Sequence, residues 1–174
     1  MAGIFGILNK IKPVYDQIYK ITLFLCKMLL IADILVATLT VAGRYIPFIP
    51  DPAWSEEVIL SCMAYMTVLS GALAIRRRAH IRMTAFDKFL PEKLVTISDV
   101  ISDIAVLVLA IVLIVVGWRY SVEIGSKGSY VSMPNVSRFW MYFAVPLGGI
   151  AMLIFQIEVL LENIEKLFAI KEEI

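Results

Sequence analysis

Four stretches of the chain are almost free of charged residues, and charges are frequent between them. A helix that crosses about 30 Å of hydrocarbon needs roughly 20 residues at 1.5 Å each. The shorter stretches extend into neighbouring apolar residues until they reach this length. The pattern therefore predicts four transmembrane helices, over residues 21–44, 55–76, 99–122 and 139–162.

The composition supports a membrane protein. Hydrophobic residues make up 60% of the 174 residues, and the mean hydropathy is +0.86, whereas soluble domains are about 45–50% apolar. Backbone groups inside a bilayer must be satisfied within the segment, so apolar runs of this length form helices. We therefore expect an all-α integral membrane protein with one membrane domain, residues 1–174. Cys26 and Cys62 fall in separate apolar segments and are interpreted as small apolar fillers.

Lysine and arginine residues predict the orientation of the chain. The amino-terminal segment, the second connection (77–96 with Arg76) and the carboxyl tail (163–174) carry twelve of them, and the other two connections carry four. Cytoplasmic loops are enriched in these residues. Both termini are therefore predicted to be cytoplasmic.

Two segments have the pattern of amphipathic helices that lie in the membrane interface. Apolar residues recur every three or four positions over 1–20, with lysines between them, and Pro13 is expected to kink or split this helix. A similar pattern surrounds Phe86 and Phe89 in the basic connection. One interpretation is that both segments only anchor the protein, and the other is that they brace a partner in the same membrane.

The side chains needed for catalysis or cofactor binding are missing. His80 is the only histidine, so a bis-histidine haem site is excluded. No phosphate-binding loop, metal cluster or nucleophile–base pair is present. We expect no enzyme activity, no cofactor and no metal, with membrane lipids and proteins rather than nucleic acid as partners.

Asp33 is the only charged residue deep inside a predicted span. Such residues in membrane helices are costly and often functional. Three interpretations stay open: a structural role, a role in proton coupling, and a contact with a partner subunit.

The most patterned stretch is 51–91, DPAWSEEVILSCMAYMTVLSGALAIRRRAHIRMTAFDKFLP. Ser55 is predicted to cap a helix, and Glu56 and Glu57 follow in its first turn, where the helix dipole favours negative charge. Basic residues follow at the opposite end. Gly71 makes the helix slim enough for close packing. We expect Gly71 to lie in a packing surface and the charged residues to make polar contacts at the two helix ends.

The order of these features resembles the small membrane subunit, the DctQ-type component, of tripartite ATP-independent periplasmic (TRAP) transporters. Arg78 departs from that pattern, in which a smaller residue, often Gly, precedes the Ala-His pair. The residues that carry the resemblance are Trp54, Glu56, Glu57, Gly71, Ala72, Arg76, Arg77, Arg78, His80, Ile81, Leu90 and Pro91.

The resemblance implies a scaffold that holds a large multi-span transport subunit of the elevator type in the bacterial inner membrane. A periplasmic binding protein would deliver an organic acid, either sialic acid or a C4-dicarboxylate, for sodium-driven uptake. Two other classes remain as alternatives: a small four-span proton-coupled exporter, and the membrane anchor of a respiratory enzyme. The residues expected to make structural or partner contacts are Trp54, Glu56, Glu57, Gly71, Arg76, Arg77, Arg78, His80 and Asp33.

Overall fold

The structure is a computed structural model that describes residues 2–46, 48, 52–77 and 92–172, with side chains over 12–46, 48, 52–77 and 94–164. A π-helical turn, Ser121–Gly125, continues the third helix, and residues 126–138 form the α3–α4 loop. The helices are α1 (Ala2–Tyr45), α2 (Ser55–Arg76), α3 (Glu92–Tyr120), α4 (Phe139–Tyr142) and α5 (Ala144–Glu172).

Four helices in the described part of the chain are long and apolar enough to cross a membrane, which confirms the all-α, four-span prediction. They are Lys12–Tyr45, Ser55–Arg76, Leu94–Gly125 and Phe139–Ile164. The cytoplasmic location of the termini stays a prediction, as does the interfacial position of residues 1–20. The candidate interfacial helix around Phe86 and Phe89 lies outside the described residues.

The first helix is continuous through Pro13, so the helix is not split there, and the alternative of a kink stays a prediction. A proline inside a helix removes one backbone hydrogen bond, but the residues on both sides keep their helical assignment. At 44 residues, α1 is about 66 Å long. It is therefore more than twice as long as the hydrocarbon core is thick.

The fourth span is interrupted near its beginning, at Phe143. Pro146 has no backbone N–H and cannot donate to the carbonyl group four residues before it. The amide of Phe143 still bonds to Phe139, and that of Leu147 to Phe143. The span therefore consists of a single turn, α4, followed by the long helix α5.

The four spans pack in the order α1, α2, α5, α3. The share of buried residues in the most apolar part of each span differs. It is 44% in the fourth span (α4 and α5) and 22% in α2, but only 11% in α3 and 6% in α1. The buried hydrophobic cluster joins Ala72, Leu73 and Ile75 of α2 to Phe155 and Val159 of α5. The two central helices thus form the core, and α1 and α3 lie at its edges.

Two adjacent glycines bring the neighbours of α5 close on both sides. A Cβ atom on Gly148 would lie 2.4 Å from the Cβ of Val68 in α2. A Cβ atom on Gly149 would lie 3.0 Å from the carbonyl oxygen of Ala110 in α3. Small residues allow this approach of helix backbones in membranes. Only glycine fits at Gly148 without a displacement of the facing helix.

Candidate functional site

Arg76, the last residue of α2, is the centre of a charged cluster that joins three helices. Its Nε donates to Glu158 Oε2 of α5 at 2.8 Å and its Nη2 to Glu158 Oε1 at 3.1 Å. Nη2 also donates to Asp16 of α1. The side chains of Arg76 and Glu158 are only 14% and 5% exposed. This is a bidentate, buried ion pair, and Asp16 extends it to α1 at the edge of the bundle.

Aromatic rings surround the same guanidinium group. Its carbon lies 5.1 Å from the ring centre of Tyr19 and 5.9 Å from that of Phe155, distances at which a cation is attracted to a ring face. The neighbouring Arg77 donates to the Tyr19 hydroxyl at 2.5 Å. Lys12 lies 3.9 Å from Glu162. At this end, which we call the Arg76 end, α1 is therefore held by both charged and aromatic contacts.

A second polar contact joins α3 to α5. Gln156 Nε2 donates to Asp103 Oδ1 at 2.9 Å and to the Asp103 backbone carbonyl at 3.1 Å. Asn163 Nδ2 donates to Asp103 Oδ2 at 2.6 Å. Both oxygens of the Asp103 carboxylate are thus bonded to the central helix.

Gln156, Glu158 and Asn163 were not among the residues predicted to make contacts, although the sequence contains a signal for them. Gln156 and Asn163 are seven residues apart, which is two turns, so they share a face of α5. Glu158 is two residues from Gln156 and points to the opposite side. A helix with amide groups on one face and a carboxylate on the other is a candidate for the central helix of a bundle. Which residues face these groups can be known only from the fold.

At the other end of α2, which we call the Ser55 end, the two acidic residues have different partners. Glu56 pairs with Arg44 at the end of α1. Glu57 accepts hydrogen bonds from the backbone amides of Val131, at 2.7 Å, and Ser132, at 3.0 Å. The Ser132 hydroxyl donates to it as well. Glu57 therefore fixes the tip of the α3–α4 loop to the start of α2.

Further contacts stabilise the α3–α4 loop. Ser129 and Ser137 form a β-bridge, and the amide of Tyr130 donates to the Val136 carbonyl at 3.0 Å. The Tyr130 and Ser61 hydroxyls are 2.7 Å apart. The loop is thus a hairpin-like segment attached to α2.

The predicted cap at Ser55 is wrong. Ser55 is the first helical residue, and Trp54 occupies the cap position without a side-chain hydrogen bond. The Ser55 amide donates to the Pro52 carbonyl at 3.0 Å, and Trp54 already has α-helical backbone angles. This turn leads directly into the helix and takes the place of a side-chain cap.

The remaining predicted site residues lie apart from these clusters. Gly71 faces Met152 of α5, whose Cε would lie 3.0 Å from an added Cβ. Asp33 has one buried carboxylate oxygen, Oδ1, that lacks a hydrogen-bond partner among the described residues. Arg78 and His80 lie outside the described residues, as do Ile81, Leu90 and Pro91.

Comparison with known proteins identifies the family. The sequence profile described as "Tripartite ATP-independent periplasmic transporters, DctQ component" matches residues 33–166. The chain is also 33% identical over 134 residues to the sialic acid TRAP transporter small permease protein SiaQ of Vibrio cholerae, covering 75% of this chain and 73% of the relative. The profile match includes part of the first predicted span and all of the other three. The chain therefore belongs to the DctQ family, as a small permease component of a TRAP transporter and not an enzyme.

Proposed function

We propose that this chain is a scaffold for the large, elevator-type transport subunit and that it contains no substrate or sodium site of its own. The observation that carries this proposal is the placement of the polar side chains described above. Those of the Arg76 end, the Ser55 end and Asp103 are used in contacts between elements of this chain. Asp33 stands alone between them, so the described residues form no continuous polar path across the bilayer.

The edge helices support a role in assembly. Much of the apolar surface of α1 and α3 is exposed in the isolated chain, and it is available to lipid and to another membrane subunit. Helices in lipid associate through close packing and a few polar contacts. The large subunit is therefore proposed to pack along one of these edges, while the core α2–α5 pair stays rigid.

The family and the sialic acid relative support the wider assignment. The partners proposed are the large multi-span subunit in the same bacterial inner membrane and a periplasmic binding protein. Uptake would be driven by sodium, with sialic acid as the leading substrate and a C4-dicarboxylate as the alternative. Both termini would lie in the cytoplasm.

The test compares this chain alone with its complex in reconstituted vesicles. Only the complex with the large subunit is expected to take up the organic acid when sodium and the binding protein are supplied. Uptake or proton-coupled export by this chain alone would overturn the scaffold proposal and favour the exporter class.

A substitution of Asp33 separates a structural role of this residue from a role in coupling. If its role is structural, Asp33→Asn assembled at wild-type density should retain most of the uptake with unchanged sodium dependence. Normal assembly together with complete loss of uptake would assign Asp33 to coupling.

A further inference from the structure

A groove of about 290 Å³ lies between α1, α2 and the α3–α4 loop at the Ser55 end. Leu29 of α1 forms one wall. The lining residues of α2 extend from Val58 to Tyr65, about 10 Å along the helix axis. Met133 and Val136 of the α3–α4 loop also line the groove. It is therefore an elongated slot, parallel to a span, at the depth of one membrane leaflet.

The surface that this groove offers is hydrocarbon. Three lining side chains carry hydroxyl groups, and each hydroxyl has a protein partner. Ser61 and Tyr130 bond to each other, and Tyr65 donates to the Trp140 carbonyl at 2.5 Å. The polar atoms thus hold the walls together and leave rings, methyl groups and sulfur atoms facing the slot.

We propose that the groove binds one acyl chain of a phospholipid from the leaflet at the Ser55 end. Its volume accommodates roughly ten groups of the size of a water molecule or a methylene at about 30 Å³ each, which is a substantial part of one acyl chain. The loop that forms the rim carries two cations, Lys127 and Arg138, and Arg138 is two residues from both Val136 and Trp140 of the lining. These positive charges complement the negative charge of a lipid phosphate. Trp140 and Tyr130 add the amphipathic rings that favour this depth.

The chemistry favours a lipid over the large subunit. Membrane helices associate through small residues and interhelical hydrogen bonds. This slot is lined mostly by larger apolar and aromatic side chains, with Ser61 and Cys62 as the small ones, and its hydroxyl groups are already bonded within the chain. A flexible chain of methylenes fills such a slot without a hydrogen-bonding group. The inference requires only that α1 and α2 span the membrane, so it is independent of the scaffold proposal.

The test uses the complex with its large subunit in vesicles that contain phosphatidylethanolamine with a photoreactive diazirine in one acyl chain. Irradiation followed by peptide mass spectrometry is expected to find label on residues 58–65 and 133–136. Cys62→Phe fills the slot and should reduce this label by about tenfold or more, since a bulky group there excludes the chain. The matched control is Met63→Phe, the next residue of α2, which is exposed and lies outside the groove lining. Its label should equal that of the wild type.

If the complex that carries Cys62→Phe cannot be purified, Val136→Phe is used in its place. This substitution fills the same slot from the side of the loop. Equal groove labelling in the filled variants and in the Met63→Phe control would overturn the proposal. So would crosslinking of a photoreactive residue at Val136 to the large subunit, because the groove would then be a protein contact.

Discussion

Arg76 of α2 and Glu158 of α5 form a two-pronged ion pair inside the bundle, with N–O distances of 2.8 and 3.1 Å. The pair lies next to the apolar cluster of Phe155 and Val159. Water is largely excluded there, so each charge depends on the other for compensation. The pair also fixes which faces of α2 and α5 are turned towards each other.

Removal of one member of this pair should lower the free energy of unfolding more than replacement of both members by apolar residues. Glu158→Ala leaves the Arg76 charge with the exposed Asp16 alone and should cost about 3–5 kcal/mol of unfolding free energy. The double variant Arg76→Met with Glu158→Leu should recover much of that loss, because apolar residues of similar volume are tolerated at such sites. Thermal unfolding of the purified complex measures both.

Asp16→Asn is the control for this pair. Asp16 is 56% exposed, so its loss should cost no more than about 1 kcal/mol. A Glu158→Ala complex as stable as the wild type, or a double variant less stable than Glu158→Ala, would contradict the compensation argument.

The two glycines of the α2–α5 contact should differ in their tolerance of a methyl group. Gly148→Ala places a Cβ within 2.4 Å of Val68 and should cost about 1–3 kcal/mol by overpacking. Gly71→Ala meets only the flexible end of Met152, at 3.0 Å, and should cost less than about 1 kcal/mol. Co-purification with the large subunit after graded heating compares them. Equal losses would show that backbone approach at Gly148 is not what holds the helices together.

Loss of the Glu57 carboxylate should make the α3–α4 loop less ordered, whereas loss of the Glu56 carboxylate should not. Glu57→Gln weakens three hydrogen bonds to the loop and should increase hydrogen exchange at the amides of Val131 and Ser132. Three donors converge on this one charged acceptor, and such bonds are stronger than those to a neutral amide oxygen, so the expected increase is several-fold, on the order of ten. Hydrogen–deuterium exchange by mass spectrometry reads this segment directly.

Glu56→Gln is the neighbouring control, because its partner is Arg44 and both side chains are more than half exposed. Exchange in the loop should then match that of the wild type. A loop that stays protected in Glu57→Gln would assign its order to the Tyr130–Ser61 contact instead.

Cysteine labelling checks the predicted orientation. In a background that lacks Cys26 and Cys62, a membrane-impermeant maleimide added from outside should label Lys127→Cys and not Lys88→Cys. The reason is that the twelve lysines and arginines on the predicted inner side resist translocation. The opposite labelling pattern would reverse the orientation.

The sequence predicted the spans better than the contacts between them. A bilayer requires long uncharged helices, so the four spans follow from charge spacing alone. The partners of a polar side chain depend on which helices are neighbours, and Asp103 gives no indication that Gln156 and Asn163 will face it. Glu57 was expected to make a polar contact at the end of α2, but its partners are backbone amides of a loop some 75 residues away. Backbone donors of this kind have no sequence signature.

The ionic contacts at both ends of α2 also set the membrane thickness that the subunit fits. The 22 residues of this helix measure about 33 Å, close to the hydrocarbon core of a typical bilayer. Arg44–Glu56 and Asp16–Arg76 join α1 to α2 at these two levels, so a tilt of one helix is coupled to a tilt of the other. A thinner or thicker bilayer must then be accommodated by tilt of the joined helices or by deformation of the lipid, at fractions of a kcal/mol per Å of mismatch. Transport by the reconstituted complex should accordingly have an optimum in lipid chain length.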